Sequence, residues 1–586
     1  MDYNNYNEIL MARAAEWGDK IVYHFQEEKA GVQQISYAEL DQKAKALAVV
    51  LRTIFDKGDR VLLMYAPGIP YIIAFWACLY AGIIPVPAYP PNKRNTSRLL
   101  TVVQNAGVRA ALCSSETDRQ LILSLLKAYG FQFFSEEQII ATETIDVQLA
   151  NHWQVTTIDR DDIAFLQYTS GSTSAPKGVM ITHGNLLANS ACMDRSFQMH
   201  AGRHVVSWLP PFHDMGLIGA ILQTIHSGAS ATLMSPITFI KKPFRWLKAI
   251  HEGRAFGTVV SGAPNFAYDL CVDKIKPEQL PEDMDLRHWE IAFSGAEPVR
   301  KKTLDRFAAR FKSNGFQEKQ FFPVYGLAEV SLLASAGTPG TNPIVKIIDS
   351  EQLEQAHRAV ETPNPSGRIS RYVACGHPIA DGHQLRIVLP EDNTICEDYA
   401  VGEIWIKGAS IAKGYWNNPE KSEYTFKATT ADGEGPFLRT GDMGFLAEGQ
   451  LYITGRLKDM IIINGKNHYP QDIELTVYQA HKALKHDFGV AFSIDNQKME
   501  TESLVIVQEV KRDFLQDFNV QEVIDAIKND VARAHQLPVH TIVLVPPLSV
   551  AKTTSGKLQR QRMKKRYLSR RLAPIYTWSS NTFQEA

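Results

Sequence analysis

From Leu62 to Asn92 no residue carries a charge, and within that run "YIIAFWACLYAGII" is apolar on every side. Such a segment either crosses a membrane or is buried completely. It is bounded by Pro70 and Pro85 and is shorter than the ~20 apolar residues a span needs, so the pattern predicts a buried helix. A helix apolar all round must be covered all round, which takes a large layered core. The flanking sequence supplies the layers. The helical "YAELDQKAKALAVVLRTI" and the strand "RVLLMYA" come before it, and the strand "AALCSS" follows. Strand, helix and strand in succession predict parallel sheets covered by helices.

At 586 residues the chain exceeds one ordinary domain. The alternation of helices and short strands holds for the first four-fifths, and the texture changes near residue 455. There "TGRLKDMIIINGKNHYP" places a strand between two glycine-bearing turns. Beyond it "DFGVAFSID" and "SLVIVQEV" read as strands and "VQEVIDAIKNDVARAH" as a helix. The expectation is a large α/β N-terminal domain, residues 1–456, of parallel-rich sheets covered by helices. A small, mobile α+β C-terminal domain, residues 457–586, follows it across a hinge between Arg456 and Asp459. There is no internal repeat and no low-complexity linker.

Formal net charge is -1 and the pI is near 7.0, which gives no broad electrostatic surface for nucleic acid. The local exception is "RQRMKKRYLSRR", Arg560 to Arg571, which reads as a solvated helix face or as a docking surface. Six cysteines are widely scattered without a C-x-x-C pair, so neither a disulfide framework nor a zinc site is expected, and a reducing cytoplasm fits. "MDYNNYNEIL" lacks the basic and apolar regions of a secretory signal, and no transmembrane segment is expected.

The stretch "TSGSTSAPKGV", residues 169–179, is the first candidate for chemistry. It fails the Walker A pattern: counting from Gly171, Pro176 stands where the second glycine belongs, and Gly178 replaces the hydroxyl residue after Lys177. What remains is glycine backbone that can approach an anion, hydroxyl donors and one positive charge. A serine- and glycine-rich surface turn has the same composition.

Six stretches decide between these readings: "YTSGSTSAPKGV", "FSGAEPVR", "VYGLAE", "TGD", "GRLKDMIIINGK" and "TTSGKLQR", in that order from residue 168 to 560. With them the chain resembles the adenylate-forming enzymes, the superfamily of acyl-CoA synthetases, nonribosomal peptide adenylation domains and firefly luciferase. The resemblance implies the adenylate-forming fold, ATP and Mg2+ as cofactors, and attack of a carboxylate on the α-phosphate of ATP. By motif position, Thr169, Ser170, Gly171, Ser172, Thr173 and Lys177 hold the β- and γ-phosphates of the leaving group. Glu329 binds magnesium, as a carboxylate suits a hard cation. Tyr325, with Gly326 beside it, stacks on adenine, and Gly295, Ala296 and Glu297 line the nucleotide. Asp442 takes the ribose hydroxyls with help from Arg456. Lys557 reaches the α-phosphate and the attacking carboxylate, and Lys458 and Asp459 form the hinge.

The sequence departs from the family pattern at Val324, where many relatives place Asn or Asp to bind the adenine amino group. Asp214, in "WLPPFHDMGLIG", is the substitute expected for that contact, with a purely structural role as its alternative. His213 is expected to shape the carboxylate end of the acyl pocket, or else to be a satisfied core histidine.

"WLPPFHDMGLIG" and "GKNHYPQDIE" further resemble the fatty acyl-AMP ligases, which activate fatty acids for polyketide or peptide assembly lines. So does an insertion at about residues 343–372, between Glu329 and "GHPIADG". A packed insertion would oppose the domain rotation that admits CoA. The implied substrate is a fatty acid. The implied acceptor is the phosphopantetheine thiol of an acyl carrier protein, expected as a separate chain because no carrier-like segment follows Lys557. The competing readings are a long-chain acyl-CoA synthetase, a hydrolase, against which stands the lack of a G-x-S-x-G elbow, and a catalytically silent scaffold.

Overall fold

The computed structural model describes residues 3–580 apart from 28–30, 92–95, 129, 131–133, 170–175, 363–367, 380–381, 464–465, 497–500, 517–518 and 554–555. The charge-free segment forms the helix Ile69–Ala81, with proline in its first turn and all but two of its side chains buried. It packs against the helix Tyr37–Arg52. That helix starts in a capping box: the Ser36 hydroxyl accepts from the Glu39 amide, and the Glu39 carboxylate accepts from the Ser36 amide. Among the described residues, no helix is long and apolar enough to cross a membrane.

Three sheets of four or more strands build the first three-quarters of the chain. The largest has nine strands, in the order His377–Pro378, Leu333–Ala336, Phe321–Gly326, Trp289–Ser294, Thr258–Ala263, Arg203–Ser207, Ser230–Met234, Ile21–Gln26 and Val32–Ser36. Its interior pairs, from Phe321–Gly326 to Ile21–Gln26, are all parallel, and antiparallel strands close both edges. A second, four-stranded sheet, Ile84–Pro87, Arg60–Leu63, Ala110–Cys113 and Ile139–Ala141, is parallel throughout. The third, Gln384–Val388 to Gln450–Arg456, is antiparallel.

This topology gathers the motifs. In open α/β sheets the ligand crevice lies beyond the carboxyl ends of the parallel strands. "WLPPFHDMG" follows Arg203–Ser207, "GAEPVR" follows Trp289–Ser294, and "YG" ends Phe321–Gly326. Segments separated by more than a hundred residues therefore open on one crevice.

Residues 484–579 form a further four-stranded sheet, Leu484–Asn496, Thr501–Val510, Val539–Val545 and Tyr576–Ser579, with the helices Pro470–Ala480 and Val520–His535. Its buried apolar side chains run from Ile461 to Leu544. The insertion is a two-stranded ribbon, Val345–Asp349 with Ile369–Val373, carrying the short helix Ser350–Ala356.

Candidate active site

A cavity of about 1440 Å3 opens at the carboxyl ends of the large sheet. It is lined by Thr169, Lys177, His213, Asp214, Ala296, Glu297, Tyr325, Gly326, Glu329, Asp442, Arg456, Lys458, Asp459 and Lys557. Ser170, Gly171, Ser172 and Thr173 lie outside the described residues. Their flanks are fixed, because Thr169 pairs directly with Lys177 across the hairpin Ile163–Thr169 and Lys177–Thr182. Gly295 stands behind the wall rather than in it, where a Cβ would meet Val324 at 2.7 Å. Gly326 is required by close backbone approach, since a Cβ there would lie 1.9 Å from the Leu332 carbonyl oxygen.

Asp442 and Arg456 face each other because the strands Leu438–Ala447 and Gln450–Arg456 pair in that register. Arg456 Nε lies 3.1 Å from Asp442 Oδ1, and the Tyr325 hydroxyl donates to Asp442 Oδ2 at 2.8 Å. One carboxylate thus ties the Tyr325 ring to Arg456. Asp459 lies one turn further on and is held from the C-terminal helix Arg560–Leu568. Arg560 Nη1 is 3.2 Å from Asp459 Oδ2, and the same guanidinium grips Glu474 with two hydrogen bonds of 2.6 and 2.7 Å.

Glu329 follows the strand Phe321–Gly326 in a single helical turn. Its Oε1 accepts from the Tyr415 hydroxyl at 2.8 Å, and the Lys177 ammonium sits 4.7 Å above the Tyr415 ring. Tyr415 therefore bridges the proposed metal carboxylate and the loop lysine. Sequence reasoning did not single out Tyr415, since "AKGYWNNPE" has no spacing that marks it.

His213 Nδ1 is 2.6 Å from Asp214 Oδ1, which also accepts from the Met215 amide at 2.7 Å. Burial works to raise the Asp214 carboxyl, but the His213 ring and Lys557 outweigh it and hold the group below its ordinary range. Burial pushes Glu297 up to about 7, so this carboxyl is poised between its neutral and charged forms near neutral pH.

Burial lowers Lys557, with Arg456 adding to the effect and Asp214, Asp442 and Glu297 opposing it. Burial and then Arg456 lower Lys458, and burial and then Lys421 lower Lys177. Desolvated cations that disfavour their own charge gain most from an incoming polyanion.

The cavity also has an apolar arm, lined by Met193, Phe197, Met199, Val205, Ala220 and Val260, which belong to or pack against one hydrophobic cluster. One wall is the segment Leu217–Leu222, wound as a π-helix, a form that recurs at binding sites. Sequence alone did not disclose this arm, because its lining residues lie on several elements.

The insertion touches the C-terminal unit. Glu354 takes two hydrogen bonds from Arg368, at 2.6 and 3.0 Å, and lies 3.6 Å from His468 Nδ1, while the Asn467 side-chain amide is 3.1 Å from His357 Nδ1. Both Asn467 and His468 belong to the short strand Lys466–His468.

The AMP-binding enzyme family model matches residues 10–416, and that of the Disco-interacting protein 2-like AMP domain matches 458–577. Over 574 residues the chain is 39% identical to the medium-chain fatty acid–acyl-carrier-protein ligase JamA of Moorena producens, covering 97% of this chain and 95% of that one. The solved fatty acid AMP ligase of Legionella pneumophila is 41% identical, with a TM-score of 0.74 over 99% of this chain and 98% of that one. The chain belongs to the AMP-binding enzymes and, within them, to the fatty acyl-AMP ligases. A Legionella pneumophila fatty acyl-adenylate ligase solved with acyl adenylate and pyrophosphate is 40% identical, with a TM-score of 0.74 and 98% of both chains covered. For this fatty acyl-AMP ligase, the polar crevice and the apolar arm line one continuous cavity.

Proposed function

We propose that the protein joins a fatty acid to AMP, releasing pyrophosphate, and passes the acyl group to the phosphopantetheine thiol of an acyl carrier protein in the cytoplasm. The observation that carries this reading is the meeting of Lys557 with Asp214, Asp442 and Arg456 around one cavity that continues into an apolar arm. A carboxylate oxygen attacks the α-phosphorus, the bond to the bridging oxygen breaks, and pyrophosphate leaves. Lys557 offsets charge at the attacked phosphate, and Lys177 with the loop 169–173 takes the departing pyrophosphate. Tyr325 gives adenine a flat face, Gly326, Gly295, Ala296 and Glu297 shape the nucleotide wall, and Asp442 with Arg456 receives the ribose.

Glu329 fits a magnesium ion: Oε1 is engaged by Tyr415, and Oε2 has no hydrogen-bond partner among the described residues. When bound, the ion supplies Lewis-acid stabilisation of phosphate charge. The reading divides the chain into a large unit, residues 1–456, and a small one, 457–586, turning at Lys458 and Asp459. The separate apolar core beginning at Ile461 supports that division. A reducing compartment agrees with the six cysteines, which form no disulfide and of which five are buried.

Product analysis tests the whole reading. With ATP and a panel of fatty acids, mass spectrometry is expected to find acyl-adenylate, and acyl-carrier protein once a phosphopantetheinylated carrier is added. Efficient formation of acyl-CoA in its place would favour the long-chain acyl-CoA synthetase.

We further assign Asp214 to the adenine amino group, through the oxygen not held by His213 and Met215, with His213 at the carboxylate end of the arm. Asp214→Ala is expected to raise KM for ATP about 10-fold or more, the cost of an unpaired buried donor. An unchanged KM for ATP would return Asp214 to a role in holding the His213 ring.

A further inference from the structure

The helix Arg560–Leu568 has two unlike faces. Inward, Arg560 is paired with Asp459 and Glu474, Gln561 donates to the Lys458 carbonyl, and Met563 is fully buried. Outward, the helix carries Arg562, Lys565 and Arg566, and the turn after it adds Arg570 and Arg571. No carboxylate occurs in this run, and none of these five cations is in an ion pair among the described residues. Arg562 and Arg566 stand four apart on one helix face, where like charges repel. In a chain whose formal charges nearly cancel, this patch is uncompensated. Two apolar side chains lie in it: Leu568, 59% exposed, ends the helix, and Leu548, 73% exposed, precedes Ser549, whose carbonyl accepts from Arg566.

The patch joins the active site. Lys557, Leu558, Gln559 and Arg560 line the cavity, so the basic face begins within one turn of it. Across the opening, Arg98 lines the same cavity without an ion pair among the described residues, and its pKa is lowered by burial and then by Arg562.

We propose that this outward face, with Leu548 and Leu568, is the docking surface for the acidic face of the carrier protein, the partner named in the reading above, on which the inference rests. Docked there, the carrier holds its anionic prosthetic arm against a row of cations that leads to the cavity.

The test compares wild type with Arg562→Glu/Lys565→Glu/Arg570→Glu and with Leu548→Ser/Leu568→Ser. Fatty-acid-dependent ATP–pyrophosphate exchange reports adenylation and folding, and transfer of labelled acyl groups to a phosphopantetheinylated acyl carrier protein reports docking. Exchange is expected to stay within about twofold in both variants. kcat/KM for the carrier is expected to fall about 10- to 100-fold in the charge-reversed variant, with a flattened salt dependence. Acyl transfer to free pantetheine should not change. Carrier loading at the wild-type rate in both variants overturns the docking surface alone. A wild-type enzyme that loads no carrier removes the underlying reading as well. Binding of wild type, but not the variants, to phosphatidylglycerol vesicles, with carrier loading unchanged, reassigns the patch to a lipid surface and overturns the proposal.

Discussion

Lys557→Ala is expected to lower fatty-acid-dependent ATP–pyrophosphate exchange by about 10^2- to 10^3-fold, the usual cost of removing one preorganised group that stabilises developing charge. An anion attacks a polyanion in this reaction, so the ammonium matters most as the bond to phosphorus forms. The loss should therefore fall on kcat, with KM for ATP little changed. Acyl transfer from supplied acyl-adenylate to the carrier should survive, because there the thiol attacks the acyl carbonyl carbon rather than a phosphate, and AMP leaves. The pH profile gives an independent readout. Burial and Arg456 lower the Lys557 pKa, so the proton is lost at lower pH than from an ordinary lysine. The protonated form is the active one, so wild-type exchange should decline on the alkaline side before pH ~10.4, the ordinary lysine value. That limb should be absent from the residual activity of Lys557→Ala. Exchange within a few-fold of wild type in a folded variant would remove Lys557 from the adenylation step.

What the sequence made legible follows from the range of the forces involved. The buried helix was readable because a run such as Ile69–Ala81 without charge admits few other fates, and Val520–His535 because amphipathic period and caps are local properties. The strand "RVLLMYA" is shorter in the structure, Arg60–Leu63, because strand ends are set by neighbouring strands rather than by the segment itself. Of the residues assigned through the motifs shared with the adenylate-forming enzymes, Lys177, Glu329 and Asp442 line the one cavity. Tyr415 and the apolar arm escaped because their roles come from packing between elements distant in sequence. The same holds for Arg560, which looked like one cation in a basic run. Its burial between Asp459 and Glu474 separates it from its outward-facing neighbours.

The insertion gives the second large effect. The double variant Glu354→Ala/His357→Ala is expected to form acyl-CoA from ATP, fatty acid and CoA where wild type forms little, while retaining acyl-adenylate formation. Glu354 is almost fully buried, accepts twice from Arg368 and faces His468; His357 meets Asn467. The contacts to His468 and Asn467 exist only while the strand Lys466–His468 stays against the insertion, so they would favour this orientation of the C-terminal unit over a rotated one. The Asn467–His357 hydrogen bond contributes about 0.5–1.5 kcal/mol, and the approach of His468 to Glu354 adds electrostatic attraction. Losing both should then raise the rotated population several-fold to about 10-fold. Removing residues 345–370 outright is a harsher version of the same test. It would strip Ile348 and Leu353 from the cluster that buries Phe445 and Tyr452, and so confound loss of gating with loss of packing. The point variants keep that cluster, and thermal unfolding checks it directly. If they fold, adenylate at the wild-type rate and still make no acyl-CoA, the insertion does not gate the acceptor, and exclusion of CoA must lie in the shape of the thiol's own path.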